Sequence, residues 1–332
     1  MSRAKPSWVR DALSRRSVLA ASAALAMPWR DASAALPPVK IMAPAAPSGA
    51  TDVLALFFAQ YLSEDSGRSF VVENGAGAAC VIGTQAVARA PADGTSLLMA
   101  SVSHAINPAL IDKIPYDSTL DFAPVAKLLN FSSVLITHPS VPVTNLKEFI
   151  AHAKAHPDAL SFALGAVGSS QHLAGLALAR DAGIKFVTVP YKGASPAMND
   201  LLGGHVSFMI QGIPVAQPHI RSGAVRALGV TGLKRFPGLA EVPTLSEAGL
   251  PGYDVDAWLA LLGPAGLPEE FAQELHDRLH KILARPDVVA RLLAMGVQAD
   301  LRGPAETKLF LHREADRWTA LIRESGIKPS SI

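Results

Sequence analysis

The chain predicts an α/β fold with helices on both faces of a mostly parallel sheet. Short apolar runs of strand length alternate with amphipathic segments of helix length through residues 39–230. Loops rich in Gly, Pro and Ser separate them, and the 332 residues include 25 Gly and 25 Pro. Hydrophobic residues make up 49% and charged residues 17%, a balance that buries a core and argues against intrinsic disorder. At roughly 150 residues per domain, the length predicts about two domains.

The N-terminus reads as a targeting segment. Arg3, Lys5, Arg10, Arg15 and Arg16 precede an apolar run from Val18 to Met27, and Ala32-Ser33-Ala34 supplies a small-residue cleavage signal near Ala34. That run is about 10 residues, against about 20 for a membrane span. Ser14-Arg15-Arg16-Ser17-Val18-Leu19 is similar to a twin-arginine signal. Val18 stands where Phe is usual, so the general secretory route stays open. Residues 1–34 carry a net charge of +4, which leaves −2 on the remainder of a chain whose total is +2. The basic balance thus belongs to the leader, and no nucleic-acid footprint is expected. The predicted location of the mature protein is outside the inner membrane.

The elements follow in order. Residues 39–43 form a strand, and a loop with Pro44, Pro47, Ser48 and Gly49 leads to a helix capped by Thr51 or Asp52. Val53, Leu56, Phe57 and Gln60 lie on its expected inner stripe, and Gly67 ends it. Residues 70–73 are a second strand, 84–90 a short helix and 96–100 a third strand. The pattern then repeats: strand 134–137, a helix capped by Thr144 or Asn145, strand 160–163, a helix closed at Gly183 and strand 185–189. A helix with Ser195 as N-cap and Pro196 at its first position stops at Gly203. Strands 206–210 and 225–230 follow. The last third is helical, with openings at Pro268, Pro286 and Pro304.

Two small-residue loops carry the functional signal. Ala46-Pro47-Ser48-Gly49-Ala50-Thr51 lies between a strand and a helix N-terminus, and the stretch from Gly165 to Ser170 occupies the same place in a different βαβ unit. Each offers backbone N–H groups and the positive end of a helix, a combination that attracts a carboxylate or phosphate. Together they predict a clamp for a small anion. Neither has the spacing of a dinucleotide fingerprint or a P-loop. Ser101, Ser103 and His104 follow one strand end, and Tyr191 and Lys192 follow another.

No G-x-S-x-G elbow, His-Glu-x-x-His motif or clustered carboxylate pair is present, so no enzyme chemistry is predicted. The single cysteine, Cys80, excludes an intrachain disulfide and a multi-Cys metal site, and reads as a small buried hydrophobe. No cofactor or metal is expected.

Ordered stretches over the mature chain complete the pattern. They include Gly49-Ala50-Thr51-Asp52, Pro91-Ala92-Asp93-Gly94, His104-Ala105-Ile106-Asn107-Pro108, Gly168-Ser169-Ser170 with His172, Val189-Pro190-Tyr191-Lys192-Gly193 and Val242-Pro243-Thr244 with Glu247. With these the chain resembles the extracytoplasmic solute receptors of the tripartite tricarboxylate transporter system, the Bug-type receptors. The resemblance implies a two-domain periplasmic binding protein of type II topology with its ligand cleft between the domains. Domain one would be 36–135 plus 260–332 and domain two 136–259, with crossings near 133–139 and 254–263. The implied ligand is a small carboxylate, the implied partner a membrane permease, and the receptor itself a monomer. A ligand-binding sensor that signals to a membrane partner is the alternative.

The resemblance places first-domain contacts on Ala46, Ser48, Gly49, Ala50, Asp52, Ser101 and Ser103. It places second-domain contacts on Gly168, Ser169, Ser170, His172 and Tyr191. Asp52 is expected to cap its helix and order the loop rather than touch an anion. Three departures from the family pattern stand out: Pro47-Ser48 in the first loop, Cys80 at a usual glycine, and Gln211 at a usual aspartate. A neutral Gln211 predicts a carboxylate ligand without an amine.

Overall fold

A computed structural model describes residues 36–45, 50–77, 80–157, 159–165, 169–191 and 193–324. The leader and the twin-arginine motif lie outside the described residues, as do Ala46, Ser48, Gly49, Gly168 and Lys192.

From Val39 onward two sheets form. The first has strands β1 (Val39–Ala43), β2 (Phe70–Asn74), β3 (Ser96–Ser101), β4 (Phe122–Phe131), β10 (Ala257–Pro264) and β11 (Gln298–Arg302), in the order β11-β4-β10-β3-β1-β2. The second has β5 (Ser133–Thr137), β6 (Ser161–Leu164), β7 (Val187–Pro190), β8 (Phe208–Gly212) and β9 (Arg226–Val230), in the order β7-β6-β8-β5-β9.

Both sheets are mixed, which corrects the expected mostly parallel arrangement. β1 pairs parallel with β2 and β3, and β6 with β7 and β8. β10 runs antiparallel to β3 and β4, β11 antiparallel to β4, and β5 antiparallel to β8 and β9. Parallel neighbours need a crossover of about a dozen residues. β5 and β10 instead enter their sheets directly from the other sheet. Only Ser132 separates β4 from β5, and the chain returns between Val230 and Ala257.

The helices are α1 (Ala50–Ser66), α2 (Val81–Ala88), α3 (Val102–Leu110), α4 (Leu146–Ala155), α5 (Ser170–Ala182), α6 (Ala194–Leu202), α7 (Ile213–Arg221), α8 (Leu245–Ala248), α9 (Glu269–Leu283), α10 (Pro286–Ala294) and α11 (Pro304–Glu324). Asn145 caps α4 and accepts from the Glu148 N–H, and Gly183 closes α5 in the left-handed conformation.

Three local expectations are corrected. α1 buries Phe57 as expected, together with Leu54, Ala55, Phe58 and Leu62, while Val53, Leu56 and Gln60 face solvent, because two apolar stripes compete on this helix and the more aromatic one packs inward. α1 also starts at Ala50, so Thr51 and Asp52 lie inside its first turn and do not cap it. Gly193, not Ser195, precedes α6.

Under the first sheet, Ile41, Phe58, Leu97 and Leu128 pack with Leu279 of α9. Beside the second, Phe162 stacks on Phe208 at 5.1 Å, and Phe149 meets Phe208 edge-on. Lys127 is a buried charge on β4. Its Nζ bonds Asp300 and Asn130 and lies 4.6 Å from the centre of the Phe310 ring. Among the described residues no helix is long and apolar enough to cross a membrane.

Candidate functional site

A cavity of about 400 Å³ opens where the two sheets meet. Four helices begin on its wall: α1 at Ala50 and Thr51, α3 after Ser101, α5 after Ser169, and α7 after Gly212. Each helix start leaves several backbone N–H groups without an intrahelical partner and carries the positive end of the helix dipole. Ser101 and Gly212 are the last residues of β3 and β8, so the cavity sits at carboxyl ends of strands, where open α/β sheets bind ligands.

The wall is rich in hydroxyls. Thr51, Ser101 and Ser103 come from the first sheet's side, Ser132 and Ser133 from the passage between sheets, and Ser169 and Ser170 from the second. Trp258, Phe131, Ile106 and Met295 supply apolar surface. Among the described lining residues there is no Lys, Arg, His, Asp or Glu. Among the described residues, then, the wall offers an anion backbone dipoles and hydroxyls.

Of the residues singled out from the sequence, Ala50, Ser101, Ser103, Ser169 and Ser170 line this cavity. Ser169 is the N-cap of α5 and accepts from the His172 N–H at 3.2 Å. Gly165, at the root of the same loop, admits no side chain easily, since a Cβ there would lie 3.0 Å from the Ala194 nitrogen.

The other described candidates, Asp52, His172, Tyr191 and Gln211, lie off the wall. Asp52 is buried and its Oδ1 accepts from Asn74 Nδ2 at 2.8 Å, which ties α1 to the end of β2. His172 is half-buried in the first turn of α5, and burial holds its pKa below the usual histidine value. The Tyr191 hydroxyl donates to Asp200 Oδ2 at 2.7 Å; partial burial, with Asp200 adding to it, pushes its pKa up to about 12. Gln211 is buried in β8, one residue before Gly212 on the wall.

Thr51, part of the first small-residue loop but not named as a contact, is on the wall, and Ser132, Ser133, Trp258, Met295 and Gly296 join it without having been singled out as site residues. Ser132 and Ser133 were visible as a Ser-Ser pair at the end of an apolar run. Nothing local marked Trp258 or Gly296.

Cys80 takes φ +75°, the region that favours glycine, where the resemblance implies a glycine. Its thiol bonds the Ser103 side chain, and burial pushes its pKa up, so it is a neutral packing group just behind the wall.

His104 is buried beneath Ser103 and is not part of the wall. Its Nε2 lies 2.8 Å from the Ser118 carbonyl, which can only accept, so Nε2 carries the proton. Burial pushes its pKa down to about 4, with the Ser118 bond opposing. An unfolded histidine protonates near pH 6.5, so His104 contributes stability above about that pH and the contribution is lost as pH falls towards about 4. The expected loss approaches about 3 kcal/mol. Urea unfolding at about pH 7 and about pH 4.5 checks it. His104→Phe should lose clearly less stability than the native protein over that interval, and equal losses would contradict the assignment.

The family model described as "Tripartite tricarboxylate transporter family receptor" matches residues 54–327. The chain belongs to this family. It is 35% identical over 313 residues to Protein BugT of Bordetella pertussis, covering 94% of this chain and 96% of that protein. Among solved structures it is similar to R. palustris Rpa4515 with adipate, with TM-score 0.73, 32% identity and coverage of 89% of this chain and 99% of that one. It is also similar to MatC (Rpa3494) from Rhodopseudomonas palustris with bound malate, with TM-score 0.68, 31% identity and coverage of 86% and 99%. The fold and family are those of periplasmic solute-binding receptors of the Bug and tripartite tricarboxylate transporter type, which bind solutes and are not enzymes.

Proposed function

We propose that the protein captures a short dicarboxylate in the cavity between its two sheets and delivers it to a membrane permease of the tripartite tricarboxylate transporter type. The carrying observation is a cavity wall on which four helices begin and whose described residues include no charged side chain. A carboxylate there receives backbone N–H and hydroxyl donors, and the described wall residues bring no negative charge against it. Starts of α1 and α3 on one side and of α5 and α7 on the other suit a ligand with an anionic group at each end. The adipate and malate of the two R. palustris structures are ligands of this kind.

In this reading the sheets are the cores of two lobes, with the borders at Ser132 and at 254–256, and ligand contacts on both lobes favour a closed arrangement. The receptor works as a monomer in the periplasm after removal of residues 1–34. The ligand carries no amine, because an ammonium would shed water against a wall whose described residues offer no carboxylate partner.

Thermal unfolding of protein that has been denatured and refolded free of carried-over ligand tests this. Adipate, malate and succinate should raise the melting temperature, with roughly 2.7 kcal/mol of stabilisation at 100 times the dissociation constant. Hexanoate should bind more weakly than adipate, and aspartate about tenfold more weakly than succinate. No response to any dicarboxylate, from protein shown to be folded, contradicts the proposal.

A further inference from the structure

Ser132 is the point where the chain leaves the first sheet for the second; it is buried and lines the cavity. Its hydroxyl donates to Asp256 Oδ2 at 2.8 Å. Asp256 immediately precedes β10, where the chain re-enters the first sheet. The other carboxylate oxygen accepts from Thr231 Oγ1 at 3.0 Å. Thr231 is itself tied to the first passage: its Oγ1 accepts from the Ser133 N–H at 2.9 Å, and its own N–H donates to the Ser133 carbonyl at 2.9 Å. One carboxylate therefore bridges both passages between the sheets, one residue behind the cavity wall.

The charged surroundings of Asp256 do not neutralise it with a direct ion pair. Asp254 and Tyr253 face it from its own segment and Lys127 from β4. Lys127 is already engaged by Asp300. Asp254 is offset by Arg317 of α11 and by Arg302 of β11. Withdrawal from solvent pushes the Asp256 carboxyl up to about 6; the Asp254 charge adds to this, and the Ser132 and Thr231 hydroxyls oppose it.

We propose that Asp256 is a positioning residue that sets the hydrogen-bond polarity of Ser132 on the cavity wall, so that the receptor holds a dicarboxylate more tightly in mild acid than at neutral pH. The inference rests on the carboxylate-binding reading above. An ionised Asp256 only accepts. It draws the hydroxyl protons of Ser132 and Thr231 towards itself, and Ser132 is left with lone pairs to offer the cavity. Those lone pairs, and the negative charge behind them, oppose a ligand carboxylate. When Asp256 takes a proton from solvent it becomes a donor, and the Ser132 proton is free to turn to the ligand. The loss of charge and the reversal of the hydroxyl act in the same direction.

Isothermal titration of adipate from about pH 5 to about pH 8 tests this with the native protein, Asp256→Asn and Ser132→Ala. Adipate's own ionisation is common to all three, so the ratio of affinities at each pH is the quantity read. Asp256→Asn mimics the protonated form and should bind adipate about tenfold more tightly than the native protein at about pH 8, with the ratio approaching one near pH 5. Ser132→Ala should lose most of the native pH response, and it decides the matter if Asp256→Asn fails to fold. Affinity ratios constant across the whole range overturn the role of Asp256 and leave the carboxylate reading standing. Absence of adipate binding in every form and at every pH overturns both.

Discussion

Replacing Gly296 by alanine should weaken adipate binding by about 10- to 100-fold while leaving a folded protein. Gly296 follows α10 on the first sheet's side, and Pro214 lies in the first turn of α7 on the second sheet's side; both line the cavity. A Cβ at Gly296 would sit 2.1 Å from Pro214 Cγ and 2.5 Å from Cδ. Such contacts cannot be absorbed by a rotamer change, because the proline ring is rigid. The proposed lobes must then stand further apart, and a receptor that binds from its closed form loses affinity in proportion to the lost closed population. The φ of +74° adds about 1–2 kcal/mol of strain for alanine, which appears in the unfolding of the ligand-free protein. The two effects separate in a double variant. Pro214→Ala together with Gly296→Ala should recover much of the affinity and none of the lost stability. Unchanged affinity in Gly296→Ala would show that this contact plays no part in closure.

The second large effect is on stability. Glu314 of α11 is buried, and one of its oxygens, Oε2, accepts from the indole N–H of Trp258 at 2.8 Å and of Trp318 at 2.9 Å. Its other oxygen lies 2.8 Å from Arg317. Glu314→Leu leaves both buried indole donors unsatisfied and removes the Arg317 partner. It should cost about 3–5 kcal/mol in urea unfolding. Glu314→Gln retains one acceptor oxygen and should cost about half as much. Because Trp258 forms part of the cavity wall, the Leu variant should also bind adipate more weakly. A Leu variant within about 1 kcal/mol of the native protein would mean that neither indole depends on this carboxylate.

The elements with strong local signals were legible in the sequence. β1 and β3 are short apolar runs, α4 and α5 join apolar periodicity to a cap or a closing glycine, and α9 opens at Pro268 with apolar residues at helical spacing; each forms close to where those signals place it. β4 escaped because a buried Lys127 interrupts its apolar run; the partners that make that charge tolerable, Asp300 and Phe310, are far away in the chain. β11, with the sequence Gln-Ala-Asp-Leu-Arg, has no alternation and forms an edge strand through pairing with β4. α7 carries Pro214 in its first turn and Pro218 within it, which reads locally as a break. Strand direction was hidden for a different reason: it depends on which sheet a strand joins, and no local pattern reports that.

The site was legible in part for the same reason. Small-residue loops before helices announce donors, so Ala50, Ser101, Ser103, Ser169 and Ser170 could be named from sequence. Ser132 and Ser133 are wall residues because the chain changes sheets there, and Trp258 and Gly296 because β10 and α10 return from far along the chain. His172 and Tyr191 follow the same two loops but lie off the described wall: the His172 backbone N–H donates to Ser169 and the Tyr191 hydroxyl donates to Asp200.

In the proposed function a dicarboxylate lies between the two sheets, held at each end by helix N-termini and hydroxyls. A crystal structure of the protein with adipate tests it most directly. Adipate is expected in the cavity, one carboxylate within hydrogen-bond distance of N–H groups at the start of α1 and the other at the start of α5, with Trp258 beside the methylene chain. Adipate outside this cavity, or carboxylates held by Lys or Arg side chains, would contradict it.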